Sequence, residues 1–236
     1  MNSIRTSLNN PIYRKDCIIE LCTEKNVLHL GFVQHKDLWK DKMQNDDWLH
    51  SKIANTAKKL VGIDYLKNEV ELIRKKFDYD VCFGDVMKLN KVDISKKFDV
   101  IVCGELIEHI PNPGLMLNGI KRFMHSKTIL IITTPNPWRN LWVKNMYSNN
   151  LEINWINPEH VCWYSFQTLK QLLFRYNYKE VHFDYYLHET KEYHDNIESE
   201  RNENKFKSYL KKILGIDDIK TNKVFNSEGL FFISKL

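Results

Sequence analysis

Three side chains that can bind a metal or move a proton follow a single apolar run. Residues 98–109 read FDVIVCGELIEH, a strand pattern that ends at Gly104 and is followed at once by Glu105, Glu108 and His109. The spacing i, i+3, i+4 predicts that the three lie on one face of a helical turn. Two carboxylates and an imidazole suit a divalent cation such as Mg²⁺, Mn²⁺ or Fe²⁺.

A fourth candidate ligand is His160, in the run PEHVCWYS. Three interpretations of this set stay open from the residues alone. The side chains hold a metal, or His109 or His160 acts as a general acid or base without one, or the histidines only pack within the fold. For the metal interpretation, the fold would have to bring His160 to the other three ligands.

Composition favours one α/β domain over residues 1–236, because 43% of the chain is hydrophobic and a chain of this length buries a sizeable core. The net charge of +5 is spread along the chain, which indicates a solvated surface or an anionic substrate. The five cysteines form no CxxC pair, so we expect a reduced, cytoplasmic protein. No signal peptide and no apolar membrane span are evident.

Alternating strand and helix patterns predict a Rossmann-like α/β fold, a doubly wound, mainly parallel sheet of seven strands with helices on both faces. The predicted strands are 26–31, 61–64, 79–83, 98–103, 127–133, 179–187 and 228–234. The predicted helices are 47–60, with Asp46 or Asp47 as N-cap, 67–77, 114–125 and 165–177, with Ser165 as N-cap.

Less regular segments lie between these elements. We expect residues 36–46 to form a loop, and 138–164 to form an insertion or lid over the site. Residues 189–222 are highly charged and predicted to be partly mobile, with a helical apolar spacing at 206–214. His50 is expected on the surface of a helix.

The order of elements and motifs resembles the class I S-adenosylmethionine (SAM)-dependent methyltransferases. The resemblance runs from VLHLGFVQH, which contains Gly31, through VGIDY, which contains Asp64, to TTPN. It implies SAM as cofactor, with Asp64 on the ribose hydroxyls and Asp85 near the adenine amine. The implied cofactor-binding set is Gly31, Asp64, Gly84, Asp85, Val86 and Gly104.

The first loop departs from the family pattern. It keeps Gly31, but Val33 and His35 stand where later glycines are usual, and His29 replaces the usual acid. A methyltransferase-like protein that binds SAM without turnover is therefore an open alternative. The motif GxGxxG is absent, which disfavours NAD binding.

The set Glu105, Glu108, His109 and His160 resembles the metal site of small-RNA 3′-end 2′-O-methyltransferases, and Glu-His pairs also occur in ubiquinone-biosynthesis O-methyltransferases. The resemblance implies Mg²⁺ or Mn²⁺ on these four residues. In the metal-free alternative, His109 or His160 acts as the catalytic base. We expect O-methylation of a sugar, sugar-nucleotide or surface-polysaccharide hydroxyl. RNA 2′-O-methylation is the alternative, although no RNA-binding module or concentrated basic stripe is evident. The oligomeric state is left open.

Overall fold

One sheet organises the structure, a computed structural model that describes residues 12–33, 39–140, 142, 157–191 and 223–236. Over these residues the sheet has eight strands in the order β1-β7-β8-β6-β5-β2-β3-β4, and β8 alone runs antiparallel to its neighbours. The strands are β1 (Ile12–Tyr13), β2 (Asn26–Leu30), β3 (Lys59–Asp64), β4 (Asp80–Phe83), β5 (Phe98–Gly104), β6 (Met124–Pro135), β7 (Lys179–His188) and β8 (Gly229–Lys235).

The doubly wound, mainly parallel α/β sheet is confirmed, but the expected count of seven strands was wrong by one. The additional strand is β1, which has two residues and pairs in parallel with β7, Ile12 opposite Tyr186. Two residues are too few to show the alternation by which a strand is recognised in a sequence. Pairing with the edge of an existing sheet creates this strand.

The helices occupy most of the connections between strands. They are α1 (Arg14–Cys22), α2 (Trp39–Gln44), α3 (Leu49–Ala54), α4 (Lys67–Lys76), α5 (Pro113–Ile120), α6 (Phe166–Arg175) and α7 (Lys223–Asn226). Short 3-10 turns cover Val86–Lys91, Ile107–His109 and Lys121–Phe123. Ser165 caps α6 as predicted, within a reciprocal capping box with Thr168.

Three predicted boundaries differ from the structure. The helix expected at 47–60 ends at Ala54, and neither Asp46 nor Asp47 caps it, because Trp48 holds the N-cap position. The helix expected at 114–125 ends at Ile120. The expected loop 36–46 contains α2, whose Trp39 is buried. Tertiary packing and strand pairing override local propensity at each point.

Side chains of β5 alternate between two apolar cores, one on each face of the sheet. Ile101 and Cys103 belong to the larger core. Val100 and Val102 belong to the other. Because both faces of β5 are covered, nearly every residue of the strand is apolar, which explains the continuous apolar run in its sequence. The turn after β5 therefore emerges from the rigid centre of the molecule.

Two predicted segments fall largely outside the described residues. Of the expected lid 138–164, the structure describes 138–140, 142 and 157–164, and of the charged segment 189–222 it describes 189–191. The predicted helix 206–214 also lies outside them. Within the described residues, we find no helix with the length and apolarity needed to cross a membrane.

Candidate functional site

A cavity of about 1040 Å³ opens at the carboxyl ends of the central parallel strands. Ligands of open α/β sheets bind at this edge because successive strands release their loops there. All predicted site residues line the cavity: Gly31, Asp64, Gly84, Asp85, Val86, Gly104, Glu105, Glu108, His109 and His160. The topology therefore brings together residues from five separate segments of the chain.

Asp64 ends β3 and is 3% exposed. Its Oδ2 accepts the Val33 N–H at 3.0 Å, and its Oδ1 accepts the Leu66 N–H at 3.0 Å. Burial raises the pKa of Asp64, while these backbone N–H groups oppose the shift. The bonds fix the orientation of the carboxyl group, and each oxygen keeps a second lone pair for a ligand diol.

Asp85 starts the 3-10 turn that follows β4. Its Oδ1 accepts the Met87 N–H at 2.8 Å, and its Oδ2 lies 3.2 Å from Lys88 Nζ. The preceding Gly84 is sterically required, since a Cβ there would lie 2.7 Å from Val92 Cγ2. Asp64 and Asp85 thus follow adjacent strands and form one acidic side of the cavity.

The turn after β2 is closed by apolar packing. Gly31 has a φ of +70°, and a Cβ there would lie 2.9 Å from Leu106 Cδ1. Phe32 and Val33 are fully buried, and Trp48 Nε1 donates to the Phe32 carbonyl at 2.9 Å. The glycine-poor loop is therefore part of an aromatic core. Its next residues, up to 38, include His35 and lie outside the described residues.

His29 and His50 form a buried pair behind this turn, with 3.2 Å between their Nδ1 atoms. Burial lowers the pKa of His29 to about 3 and that of His50 well below its usual range, so both are neutral. The expectation of a surface position for His50 was wrong. Its ring fits against Gly62, where a Cβ would lie 2.9 Å from His50 Cε1.

Glu108, His109 and His160 converge on one wall of the cavity. One possible ligand atom from each lies within 4.8 Å of those of the other two. The two imidazole centroids are 4.6 Å apart and nearly perpendicular. The Glu108 carbonyl accepts the Val161 N–H at 2.9 Å and the Cys162 N–H at 3.2 Å, which holds the later segment beside the turn.

Glu108 is 1% exposed and is the most buried residue of this group. Its Oε2 accepts a hydrogen bond from the Thr134 hydroxyl at 3.0 Å, whereas Oε1 has no hydrogen-bond partner among the described residues and lies 4.0 Å from His109 Nε2. Burial and the neighbouring Glu105 raise the pKa of Glu108 well above its usual range. A buried carboxylate oxygen beside two imidazoles fits a divalent cation, which would supply the missing partner.

Glu105, the fourth predicted metal ligand, does not join this group of three. It has a φ of +50°, and its N–H donates to the Thr133 carbonyl at 3.0 Å and to Thr133 Oγ1 at 3.2 Å. Burial raises the pKa of Glu105 to about 7, against the attraction of Arg14. Its carboxyl group therefore belongs to a second charged cluster.

No motif of the sequence indicated that cluster, which joins α1 to residues after β7. Arg14 is 4% exposed and donates to Glu189 through Nε at 2.9 Å and Nη2 at 2.6 Å. Lys15 Nζ lies 2.5 Å from Asp47 Oδ1. The partners are far apart in the chain, and charged residues in a polar stretch resemble an ordinary solvated surface. Both cations line the cavity.

A family model described as "Methyltransferase domain" matches residues 49–212. The chain belongs to the class I SAM-dependent methyltransferases. The match covers β3 to β7, and therefore both sides of the cavity described above.

Solved structures share the fold. A SAM-dependent methyltransferase from Archaeoglobus fulgidus superimposes with a TM-score of 0.55 at 16% identity, over 94% of each chain. A TehB-like SAM-dependent methyltransferase from Corynebacterium glutamicum gives a TM-score of 0.53 at 12% identity, over 98% of this chain and 91% of that one. These similarities establish the architecture of the sheet.

Two curated relatives match by sequence over a shorter stretch. Both are described as ubiquinone biosynthesis O-methyltransferase, one from Glaesserella parasuis at 26% identity and one from Actinobacillus pleuropneumoniae at 27%. Each match covers 96 residues, 37% of this chain and 41% of the relative. The chain therefore matches less than half of the length of these relatives.

Proposed function

We propose that the protein transfers the methyl group of SAM to a hydroxyl of a sugar, a sugar nucleotide or a surface polysaccharide, with help from a divalent cation. The observation that carries this proposal is the convergence of Glu108, His109 and His160 within 4.8 Å of one another. They share one cavity with the acidic side formed by Asp64 and Asp85. Cofactor and acceptor can therefore meet there.

The residues of the cavity fit the cofactor. Asp64 offers a buried, oriented carboxyl for the ribose diol, and Asp85 offers an acceptor for the adenine amine. Gly31 and Gly84 allow the turns that border the cavity to pack closely, because a Cβ at either position would collide with Leu106 or Val92. When bound, SAM supplies a methyl group on a cationic sulfur, whose charge the acidic wall favours.

The group Glu108, His109 and His160 would hold the cation, which lowers the pKa of a coordinated hydroxyl. Glu108 supplies the negative charge, and Thr134 fixes its second oxygen. The imidazoles supply neutral nitrogen ligands. Without a cation, His109 or His160 would instead take the proton of the acceptor hydroxyl as a general base. In both cases the protein mainly aligns the oxygen with the methyl carbon.

The polar lining supports an oxygen-rich acceptor. Asn157 and Glu159 border the cavity near the histidines, and Lys15 and Lys42 border it elsewhere. Such a wall suits a sugar, and its cations suit the phosphates of a sugar nucleotide. The O-methyltransferase names of the two curated relatives also support an oxygen acceptor.

The test begins with calorimetric titration of SAM into protein treated with EDTA, repeated with Mg²⁺ and with Mn²⁺. Formation of S-adenosylhomocysteine is then followed with a set of sugars and sugar nucleotides. We expect SAM binding, a separate metal titration and metal-dependent product. Binding of SAM without product on any acceptor would contradict the enzymatic assignment. Product only on RNA, with binding that falls steeply with salt, would replace the sugar by a nucleic acid.

A further inference from the structure

Two carboxyl groups face opposite nitrogens of the His109 ring. Oε1 of Glu108 lies 4.0 Å from Nε2, and Oε2 of Glu159 lies 4.0 Å from Nδ1. Glu159 is outside the group of possible ligand atoms formed by Glu108, His109 and His160. The proposed roles therefore give Glu159 no task beyond lining the cavity.

We propose that Glu159 is a positioning residue for His109, which accepts a hydrogen bond from Nδ1–H so that Nε2 presents its lone pair toward Glu108 and the cavity. This inference rests on the proposed function, in which a nitrogen of His109 either binds the cation or takes the proton of the acceptor hydroxyl. It names that nitrogen as Nε2, and it names the side chain that selects it.

The chemistry of the two groups favours this arrangement. A neutral imidazole has one N–H and one lone pair, and the partner of one nitrogen decides which nitrogen carries the proton. A carboxylate accepts hydrogen bonds and donates none. Glu159 therefore favours a proton on Nδ1 of His109. At metal sites, a carboxylate on the outer nitrogen of a ligand histidine orients the ring and increases its basicity.

Backbone hydrogen bonds hold Glu159 beside the turn after β5. The Glu159 N–H donates to Asn157 Oδ1 at 3.0 Å, and the His160 N–H donates to the Asn157 carbonyl at 2.9 Å. The next N–H group, that of Val161, donates to the Glu108 carbonyl at 2.9 Å. Three consecutive residues thus have their backbone N–H groups bound, which sets the position from which the Glu159 side chain starts.

The separation between His109 and Glu159 leaves a short movement to complete the contact. At 4.0 Å the two atoms are too far apart for a direct hydrogen bond, but the Glu159 side chain is 60% exposed and can rotate toward the ring or reach it through a water molecule. Hydrogen bonds between catalytic groups are often long before the substrate binds. The ring itself packs edge to face against His160, with 4.6 Å between centroids.

The two carboxyl groups cannot exchange roles, because their surroundings differ. Glu108 is 1% exposed, and Thr134 donates to its Oε2 at 3.0 Å, so this carboxyl is fixed inside the cavity wall. Glu159 is solvated. Nε2 of His109 therefore faces the buried carboxyl, where a cation would gain most, and Nδ1 faces the solvated one.

The first test locates the proton directly, by nitrogen-15 NMR of the full-length protein labelled at histidine. The spectra are recorded in EDTA at about pH 8, above the ordinary pKa of an imidazole, and His109→Asn identifies the His109 signals by their loss. We expect the proton on Nδ1 in the native protein. Glu159→Leu removes the acceptor and should shift both ring-nitrogen signals toward those of the Nε2–H tautomer.

The second test measures Mn²⁺ binding by calorimetry. Glu159→Leu should weaken it roughly 10-fold or more, the usual effect of removing a carboxylate behind a ligand histidine. Glu159→Gln keeps an oxygen that accepts from Nδ1–H and should restore part of that loss. Glu71→Gln, an exposed carboxyl of α4 outside the cavity lining, is the control and should change neither measurement. Thermal unfolding checks that each variant is folded.

A proton on Nε2 in the native protein, or unchanged signals in Glu159→Leu, would overturn the inference and leave the proposed function intact. A raised KM for the acceptor with both measurements unchanged would also overturn it, since Glu159 would then contact the acceptor. Failure of the native protein to bind Mn²⁺ would contradict the metal-assisted function, whereas the tautomer is measured without metal and still decides the role of Glu159. The two failures are therefore distinguishable.

Discussion

The turn after β2 and the turn after β5 occupy equivalent places on neighbouring parallel strands but have opposite characters. Each begins with a left-handed residue, Gly31 at φ +70° and Glu105 at φ +50°. The first turn closes over Phe32 and an aromatic core. The second presents Glu105 and Glu108 to the cavity.

This contrast shows that strand ends in equivalent positions can contribute very different side chains to a site. A strand end supplies only a position, and the residues there decide whether it faces ligand or core. The left-handed conformation costs little in Gly31, whereas in Glu105 it is strained and held by Thr133. In this chain we infer that the turn after β5 carries charges that the turn after β2 lacks.

The largest expected effect tests the proposed cation site formed by Glu108, His109 and His160. Glu108→Gln should reduce metal-dependent methyl transfer roughly 100-fold or more, because it removes the charged ligand of a catalytic cation. Affinity for SAM in EDTA should stay within about threefold of the native value, since the adenosine contacts are untouched. Initial rates and calorimetry measure the two quantities. Glu71→Gln, an exposed carboxyl of α4 that does not line the cavity, is the control. Equal losses in both variants would refute a specific metal role for Glu108.

The second-largest expected effect tests the acidic side of the cavity, which Asp64 and Asp85 form. Asp64→Ala should weaken SAM binding by about 1–3 kcal/mol, the usual cost of leaving buried partners unpaired. Calorimetry measures the affinity. Because Asp64 also accepts from Val33 and Leu66, Asp64→Asn serves as a milder variant. Unchanged affinity in both would remove Asp64 from the cofactor site.

A third experiment compares the two left-handed residues directly. Gly31→Ala should lower the free energy of unfolding by about 1–2 kcal/mol, because alanine is strained at positive φ and its Cβ would meet Leu106. Glu105→Gly should stay within about 1 kcal/mol of the native protein, since glycine relieves strain there. Urea unfolding measures both. The comparison between the turns fails if the two variants lose the same stability.

The smallest effect concerns the core behind the first turn. The pKa of His29 is lowered to about 3 and that of His50 is also lowered, so below about pH 6.5 the unfolded chain binds more protons than the folded one. Stability should therefore fall as the pH falls from 7 to 5.5, by about 1 kcal/mol for each histidine.

The double variant His29→Asn/His50→Phe isolates this contribution. Buried Asp64 and Glu105 have raised pKa values and give a slope of the opposite sign. Urea unfolding at several pH values therefore gives the slope of the free energy of unfolding against pH. The measured quantity is the difference in that slope between the variant and the native protein. Identical slopes would mean that the pair is not held neutral.

Patterning predicted most of the fold. The strand before Gly104 and the strand before Asp64 were both recognised, because apolar runs that end in glycine or an acid are local features. The two-residue strand β1 and the helix that contains Trp39 were missed. Both depend on contacts with distant segments, which no local window contains.

The candidate site likewise contains residues that were predictable from the sequence and residues that were not. The residues that line the cavity follow strand ends, so the parallel order of the sheet places them together once the strands are known. Arg14 and Glu189 are 175 positions apart and became neighbours only through the pairing of β1 with β7. Nothing in either local sequence distinguishes them from surface charges.

The class of fold, the family resemblance and the positions of the acids were predictable from the sequence, because each depends on residue type, periodicity and order along the chain. Which of these residues lie together depends on the tertiary structure. It grouped Glu108 with His109 and His160, turned Glu105 toward Arg14, and buried His50. These outcomes depend on backbone conformation and on packing between distant elements, which spacing along the chain does not encode.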